Sequence, residues 1–123
     1  MKKMIIILIA FFINSTSHAQ LANSSWKGTL NLDSPLNTFF NFSSDTLEVL
    51  NQEDNSNLET MKYTITDSVL TLQKLYGQSQ CGGDIIGTYR CKITNDHLFL
   101  NVISDSCDDR KYAIGTMELS KVK

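Results

Sequence analysis

The chain carries the same pattern of apolar and polar residues twice. Residues 65–72 read ITDSVLTL, and residues 93–100 read ITNDHLFL. In each copy a polar pair, Asp67-Ser68 or Asn95-Asp96, separates two runs in which apolar and polar residues alternate. This arrangement is typical of a β-hairpin, in which a two-residue turn joins two half-buried strands. The repeat therefore predicts consecutive antiparallel strands in an up-and-down sheet.

Alternation with a period of two continues along most of the chain after residue 25. It predicts strands over 26–32, 61–65, 70–72, 87–93, 98–102 and 112–119, and two more that contain Phe40 with Phe42 and Leu47 with Val49. In the last strand the apolar parity changes near Gly115, which indicates a β-bulge. Polar, turn-forming residues predict loops over 51–57, 77–84 and 105–110.

These elements predict an all-β fold, an antiparallel up-and-down barrel of about eight short strands. No segment has the period of an amphipathic helix, and an open sandwich is the alternative architecture. If all strands alternate in direction, the turns at 67–68 and 95–96 lie at one rim of the barrel. The loops 51–57, 77–84 and 105–110 then lie at the other rim, where we expect a mouth or a partner surface.

The first 19 residues resemble a targeting segment. Lys2 and Lys3 precede an apolar run of ten residues, 4–13, which is too short to span a bilayer as a helix. Ser17 and Ala19 place small residues at the −3 and −1 positions of a cleavage site before Gln20. We therefore expect a signal peptide over 1–19, one domain over 20–123, and a secreted or periplasmic protein. An uncleaved N-terminal anchor is the alternative.

Charge and cysteine content limit the environment and the partners. The formal net charge is −2, and loss of Lys2 and Lys3 makes it about −4, so nucleic acid and anionic membranes are not expected partners. All three cysteines follow the signal peptide, where disulfides can form. Cys91 lies on the apolar face of a predicted strand and is expected to be a buried thiol. Pairing of Cys81 with Cys107 is favoured, with Cys91–Cys107, Cys81–Cys91 or three free thiols as alternatives.

Several short motifs resemble those of small secreted bacterial lipocalin-like (calycin-type) domains. They are Trp26-Lys27-Gly28-Thr29, a G-x-Y strand at Gly87-Thr88-Tyr89, an L-x-L strand at Leu98 and Leu100, and a D-x-C-x-x-R turn from Asp105 to Arg110. Ser24 departs from the lipocalin pattern, which has Gly two residues before the Trp. The resemblance implies a barrel that binds small molecules, in which Arg110 stacks on Trp26 and closes one end.

The remaining candidates favour structural interpretations. Asp105, Asp108 and Asp109 could form a calcium cluster, but their spacing does not match an EF-hand loop, and Asp105 is expected to cap the turn by accepting backbone N–H groups. His97 follows a hairpin turn, where a solvated side chain is expected. With no second histidine after the signal peptide, a zinc site or a Ser-His-Asp triad lacks its parts. We expect no metal and no cofactor.

The sequence leads to a binding function rather than catalysis. No paired acid and base and no activated nucleophile can be identified, so an enzyme is not expected. Ligand binding is predicted inside the barrel, where an apolar molecule would contact inward-facing side chains: Phe40, Phe42, Tyr63, Tyr89 and Leu100. The alternative is an exported protein-binding module, such as a protease or lysozyme inhibitor, whose contacts lie in the polar loops. A monomer is expected.

Overall fold

The structure, a computed structural model that describes residues 15–123, is a closed barrel of eight antiparallel strands. Each strand pairs with the next in sequence, and the last strand pairs with the first. The elements in chain order are α1 (His18–Leu21), β1 (Ser24–Leu30), β2 (Leu36–Phe42), β3 (Thr46–Asn51), β4 (Asn57–Thr66), β5 (Val69–Gly77), β6 (Ile86–Thr94), β7 (His97–Ser104), α2 (Asp108–Ile114) and β8 (Thr116–Lys121). The predicted fold class is confirmed, and the sandwich is excluded.

The two predicted hairpins are present with the expected turns. Thr66 pairs with Val69, and Thr94 pairs with His97, so each turn contains two residues. Asp67 and Ser68 both have positive φ angles, 50° and 65°. Such angles give the connection the twist of the flanking strands, as in a type I′ turn. The local polar pairs therefore specify the register of both hairpins.

Apolar side chains from all eight strands fill the barrel interior. In β6, buried Tyr89 and Cys91 alternate with exposed Arg90 and Lys92, as the period-two pattern requires. Burial of one large apolar side chain contributes about 1.5–3 kcal/mol. An eight-stranded barrel is just wide enough for its own side chains to fill it. The interior is accordingly the hydrophobic core.

One end of the barrel, here called the closed end, is covered by α1. The closed end comprises α1 and the turns at 43–45, 67–68 and 95–96. Leu21 of α1 is fully buried there against the core. Buried Thr16 precedes α1. Its N–H donates to Ser68 Oγ (2.7 Å), its carbonyl accepts from the Ser68 N–H (3.1 Å), and its hydroxyl accepts from the Ile93 N–H (3.2 Å). Residues 15–19 of the predicted signal peptide thus pack on the barrel, and residues 1–14 lie outside the described part.

The opposite end, here called the open end, comprises residues 31–35, 52–56, 78–85 and 105–115. The three polar loops predicted to share a rim are therefore at the same end, and both hairpin turns are at the other. Neither helix of the described residues is long and apolar enough to cross a membrane.

The prediction of a strand over 112–119 is wrong in its first half. Residues 108–114 form α2, and β8 begins only at Thr116. Gly115 follows the helix, and its N–H donates to the Lys111 carbonyl (2.9 Å). A Cβ at Gly115 would lie 2.2 Å from that oxygen, so only glycine fits. The change of apolar parity at Gly115 therefore marks a helix-to-strand junction and not a β-bulge.

Candidate functional site

A pocket with a volume of about 790 Å³ opens at the open end of the barrel. It lies between the β1–β2 loop, the adjoining ends of β3 and β4, the β5–β6 loop and α2. We call it the mouth pocket. Its lining consists of Leu30, Asn31, Leu32, Asp33, Ser34, Leu36, Val49, Leu58, Glu59, Met61, Gln78, Ser79, Asp109, Arg110, Tyr112, Ala113 and Ile114.

The mouth pocket has an apolar floor and a polar rim. The floor consists of buried core side chains that reach the pocket from below: Leu30, Val49, Met61 and Ile114. The rim carries exposed polar residues from three separate loops or helices, including Asp33, Gln78 and Asp109. Apolar walls with a few convergent polar groups are typical of small-molecule sites.

A buried ion pair stands at the wall of the mouth pocket. Arg110 Nε donates to Asp105 Oδ2 (2.6 Å), and Arg110 Nη2 donates to Asp105 Oδ1 (3.0 Å), which makes the pair bidentate. The Tyr89 hydroxyl also donates to Asp105 Oδ2, and the Cys107 N–H donates to Oδ1 (2.9 Å). The expected capping role of Asp105 is confirmed by this last bond. The carboxylate thus has four donors and is fully engaged within the protein.

Gly87 makes room for the ion pair. A Cβ at Gly87 would lie 2.4 Å from Asp105 Oδ2 and 2.9 Å from Arg110 Nε. The G-x-Y motif therefore supplies both the space, at Gly87, and the hydroxyl, at Tyr89. The D-x-C-x-x-R motif supplies the carboxylate and the guanidinium. Two motifs that are separate in sequence therefore meet in a single buried cluster. Their contacts there explain physically why each motif has these residues.

The pKa values of the cluster are shifted away from neutral pH. Burial would raise the pKa of Asp105, but hydrogen bonds from Arg110, Tyr89 and the Cys107 amide outweigh it and hold the pKa below its usual value. Burial and the hydrogen bond to Asp105 raise the pKa of Tyr89. Burial would lower the pKa of Arg110, but the bonded carboxylate of Asp105 raises it. General acids and bases work best with a pKa near the operating pH, so this cluster is suited to holding structure rather than to proton transfer.

Three further connections fix the β5–β6 loop as a wall of the pocket. Cys81 and Cys107 form a disulfide, with Cα atoms 5.4 Å apart, which confirms the favoured pairing. The Gln80 N–H donates to Asp109 Oδ2 (2.9 Å), and Arg110 Nη2 donates to the Ile85 carbonyl (3.1 Å). The loop is thereby joined to α2 and to the segment that precedes it.

The other side of this loop is held by a second polar group. Glu59 accepts hydrogen bonds from the N–H (3.1 Å) and the hydroxyl (2.6 Å) of Ser79. Lys74 Nζ donates to the Ser79 carbonyl (2.6 Å) and lies 3.8 Å from Glu59 Oε1. Since Glu59 and Ser79 both line the mouth pocket, these bonds hold this part of its wall in place.

The five residues predicted to bind a ligand inside the barrel belong to the core. Each is at most 3% exposed, and none lines the mouth pocket: Phe40, Phe42, Tyr63, Tyr89 and Leu100. The reason is volume, because these side chains pack against one another and fill the narrow barrel. The Tyr63 ring, for example, lies edge-on to Phe42 with centroids 5.2 Å apart, and its hydroxyl donates to the Ser43 carbonyl (2.6 Å). The candidate site therefore moves from the interior to the mouth.

The structure does not bring Arg110 and Trp26 together as a stacked pair. No contact of this kind occurs among the aromatic contacts of residues 15–123. Trp26 lies in the half of β1 nearer the closed end, and its indole N–H donates to Ser24 Oγ (2.8 Å). Arg110 belongs to the open end and its charge is matched by Asp105. Ser24, the departure from the lipocalin pattern, is thus a partner of the tryptophan.

The other singled-out residues have structural environments. Cys91 is a free, fully buried thiol, and burial raises its pKa to about 12, so the prediction of a core thiol is confirmed. His97 is exposed; its Nδ1 lies 3.1 Å from Glu118 Oε1, and its ring stacks near Phe99. Asp108 and Asp109 are exposed in the first turn of α2.

The mouth pocket lies at the rim where the sequence predicts a mouth or a partner surface, but most of the residues that line it are not predicted. The sequence does not distinguish pocket-lining apolar residues from core residues, because both fall at the same alternating positions. This applies to Leu36, Leu58 and Ile114. Leu32 was expected to extend the first strand, but it lies beyond β1 and is 43% exposed at the mouth.

No family model, no curated protein and no solved structure matches this chain.

Proposed function

We propose that this chain is an exported lipocalin-like binding protein that holds a small apolar molecule in the mouth pocket. The observation that carries the proposal is the pocket itself. Its volume of about 790 Å³ falls within the range of about 300–1,000 Å³ that small-molecule sites occupy. Its apolar floor offers the burial that drives binding of an apolar ligand.

The rigid wall of the pocket supports the same proposal. A site that is ordered in advance loses less conformational entropy when the ligand binds. The disulfide and the Asp105–Arg110 pair hold the β5–β6 loop and α2 in place without occupying the pocket. This arrangement favours a preformed binding site over a surface that closes on its ligand.

Export is part of the proposal. Disulfides persist in secreted and periplasmic compartments and are rare in the cytosol, and Cys81–Cys107 is such a bond. The charged and apolar pattern of residues 1–19 fits a signal peptide. The lipocalin-like assignment is supported by the eight-stranded barrel and by the convergence of the two motifs at Gly87 and Asp105.

Binding of the neutral dye Nile red tests the proposal. The dye fluoresces more strongly in apolar surroundings, so titration of the purified protein should give a saturable rise in fluorescence. Leu32→Asp places a charge against the apolar part of the mouth pocket and should weaken binding about tenfold, because an unpaired charge resists burial under a ligand. Absence of saturable binding would contradict the proposal.

Leu75→Asp is the matched control for this experiment. Leu75 is another exposed leucine, 53% exposed against 43% for Leu32, but it does not line the mouth pocket. The same chemical change should leave dye affinity unaltered at this position. Equal losses in both variants would indicate dye adsorption to general apolar surface, and the assignment of the mouth pocket would fail.

A protein-binding module, such as a protease or lysozyme inhibitor, is the second candidate. The observation that favours it is Tyr112, which lines the mouth pocket and is 69% exposed. Exposed tyrosines are enriched at protein interfaces. Tyr112→Ala should then abolish retention of a partner from the host's exported proteins, whereas Tyr76→Ala, which removes a tyrosine 59% exposed outside the pocket, should not. Failure to retain a partner or to inhibit either enzyme class would remove this candidate.

A further inference from the structure

The guanidinium of Arg110 has one nitrogen without a partner. Nε and Nη2 donate to Asp105 and to the Ile85 carbonyl, but Nη1 has no acceptor. It is the only buried side-chain nitrogen or oxygen in residues 15–123 that lacks a hydrogen bond. Leaving a buried donor unsatisfied is unfavourable, and more so when the group is charged. A ligand that supplies an acceptor at this position would remove that penalty.

The geometry of the side chain directs this nitrogen away from Asp105. The guanidinium is planar, and Nε and Nη2 form the edge that faces the carboxylate. Nη1 therefore lies at the opposite side of the group. Arg110 is 5% exposed yet lines the mouth pocket, next to Asp109 and Ile114. The mouth pocket is thus a cavity beside the buried guanidinium, and an acceptor that enters it needs a small shift of the wall to reach Nη1.

The surrounding charges select the kind of acceptor. Asp105 already neutralises Arg110 from behind the pocket wall. The carboxylates that line the mouth pocket itself are Asp33, Glu59 and Asp109. Lys74 lies beside Glu59, which leaves the lining with an excess of negative charge. An anionic head group would be repelled by these carboxylates, and a cationic one cannot accept a hydrogen bond.

We infer that the mouth pocket takes apolar molecules that carry an uncharged acceptor oxygen, such as a ketone, an ester or an amide. The apolar body lies on the floor formed by Leu30, Val49 and Met61, and the oxygen accepts a hydrogen bond from Arg110 Nη1. This inference rests on the proposed function, since it specifies the ligand class of the same pocket.

Competition with Nile red tests the inference with four molecules of similar apolar length. They are undecane, 2-undecanone, decanoate and decylammonium, each used below its aggregation threshold at pH 7. Each displacement concentration is first corrected for the ligand's own transfer from water to hydrocarbon, because the ketone loses hydrogen bonds to water that the alkane never makes. After this correction the ketone should displace the dye about tenfold or more better than the alkane, since its oxygen gains a hydrogen bond to a charged donor. Equal corrected displacement by ketone and alkane, or strongest displacement by either ion, would overturn the inference.

Arginine-selective NMR provides a second measurement on the unaltered protein. The chain contains only two arginines, Arg90 and Arg110, and Arg90 is exposed on the outside of β6. With ¹⁵N-arginine labelling, 2-undecanone should shift the side-chain N–H signals of Arg110 and leave those of Arg90 unchanged. Undecane should shift the Arg110 signals much less.

The outcomes separate this inference from the proposed function. If Nile red is displaced but the Arg110 signals do not respond to the ketone, the pocket binds apolar molecules and the hydrogen bond is refuted. If Nile red does not bind saturably, the proposed function fails and the inference fails with it. A response of the Arg110 signals together with preferential displacement by the ketone supports both.

Discussion

The two ends of this barrel are held together in different ways. At the closed end, apolar Leu21 is buried against the core. In the chain that retains the proposed signal peptide, Thr16 also joins both hairpins by hydrogen bonds. At the open end, the framework is the buried Asp105–Arg110 pair and the Cys81–Cys107 disulfide. A buried apolar side chain stabilises the closed end by filling space, whereas a disulfide and an ion pair stabilise the open end without filling it. The open end can therefore be rigid and still contain a pocket.

Asp105→Asn should have the largest effect on the open end. The substitution leaves the Arg110 guanidinium buried without its counter-charge, and removal of one partner of a buried pair costs about 3–5 kcal/mol. The free energy of unfolding in urea at pH 7 measures the loss. Asp109→Asn is the control, because Asp109 is an exposed neighbour that accepts one hydrogen bond from the Gln80 N–H. It should cost less than about 1 kcal/mol, and equal losses would contradict the assigned role of the pair.

Replacement of Cys81 and Cys107 by serine should have the next largest effect. The bond joins residues 26 apart in sequence, and closing a loop of that length contributes about 3–4 kcal/mol. Hydrogen exchange should become faster in residues 78–85 and remain slow in the hairpin 65–72. A reducing agent should destabilise the unaltered protein and leave the double variant unchanged. Equal acceleration at both ends would show that the disulfide does not act on the open end specifically.

Removal of residues 15–19 should have a smaller effect, and it should act on the closed end. A chain that begins at Gln20 lacks the three hydrogen bonds made by Thr16 to Ser68 and Ile93, so we expect a loss of about 1–3 kcal/mol relative to a chain that begins at Ser15. Urea unfolding of the two chains measures it, and Nile red affinity should be the same in both. Weaker dye binding in the shorter chain would contradict the independence of the two ends.

The strands could be predicted from the sequence because their signal is local. Alternation of apolar and polar residues and the pairs at 67–68 and 95–96 are read within a few positions. The helix α2 could not be predicted in this way, because seven residues are too few to show a helical period and tertiary contacts hold them in place. The helix is held by contacts with distant parts of the chain. Arg110 donates to the Ile85 carbonyl, and Cys107, directly before the helix, is bonded to Cys81.

The candidate site was less predictable than the fold. The spacing from Asp105 to Arg110 was visible, but the partner of the guanidinium depended on how the loop folds back on Gly87. The position of the pocket depends on volume, since buried Phe40 and Leu100 occupy the interior and the mouth pocket lies near the strand ends. Such a balance of volumes involves the whole barrel and cannot be read from any one segment.

An acid titration should produce the smallest change, and it should again separate the two ends. Burial would raise the pKa of Asp105, but its hydrogen bonds, from Arg110 above all, hold the pKa below the usual value. A carboxyl group with a lowered folded-state pKa contributes stability above its unfolded pKa, near 4. That contribution is lost as the pH falls from about 4 through the folded-state pKa. Urea unfolding between pH 7 and pH 3 should therefore show an acid loss in the unaltered protein that is reduced in Asp105→Asn. At the acid end of this range, hydrogen exchange should open residues 78–85 before the hairpin 65–72, because Asp105 belongs to the open end; the reverse order would place the acid-sensitive group at the closed end.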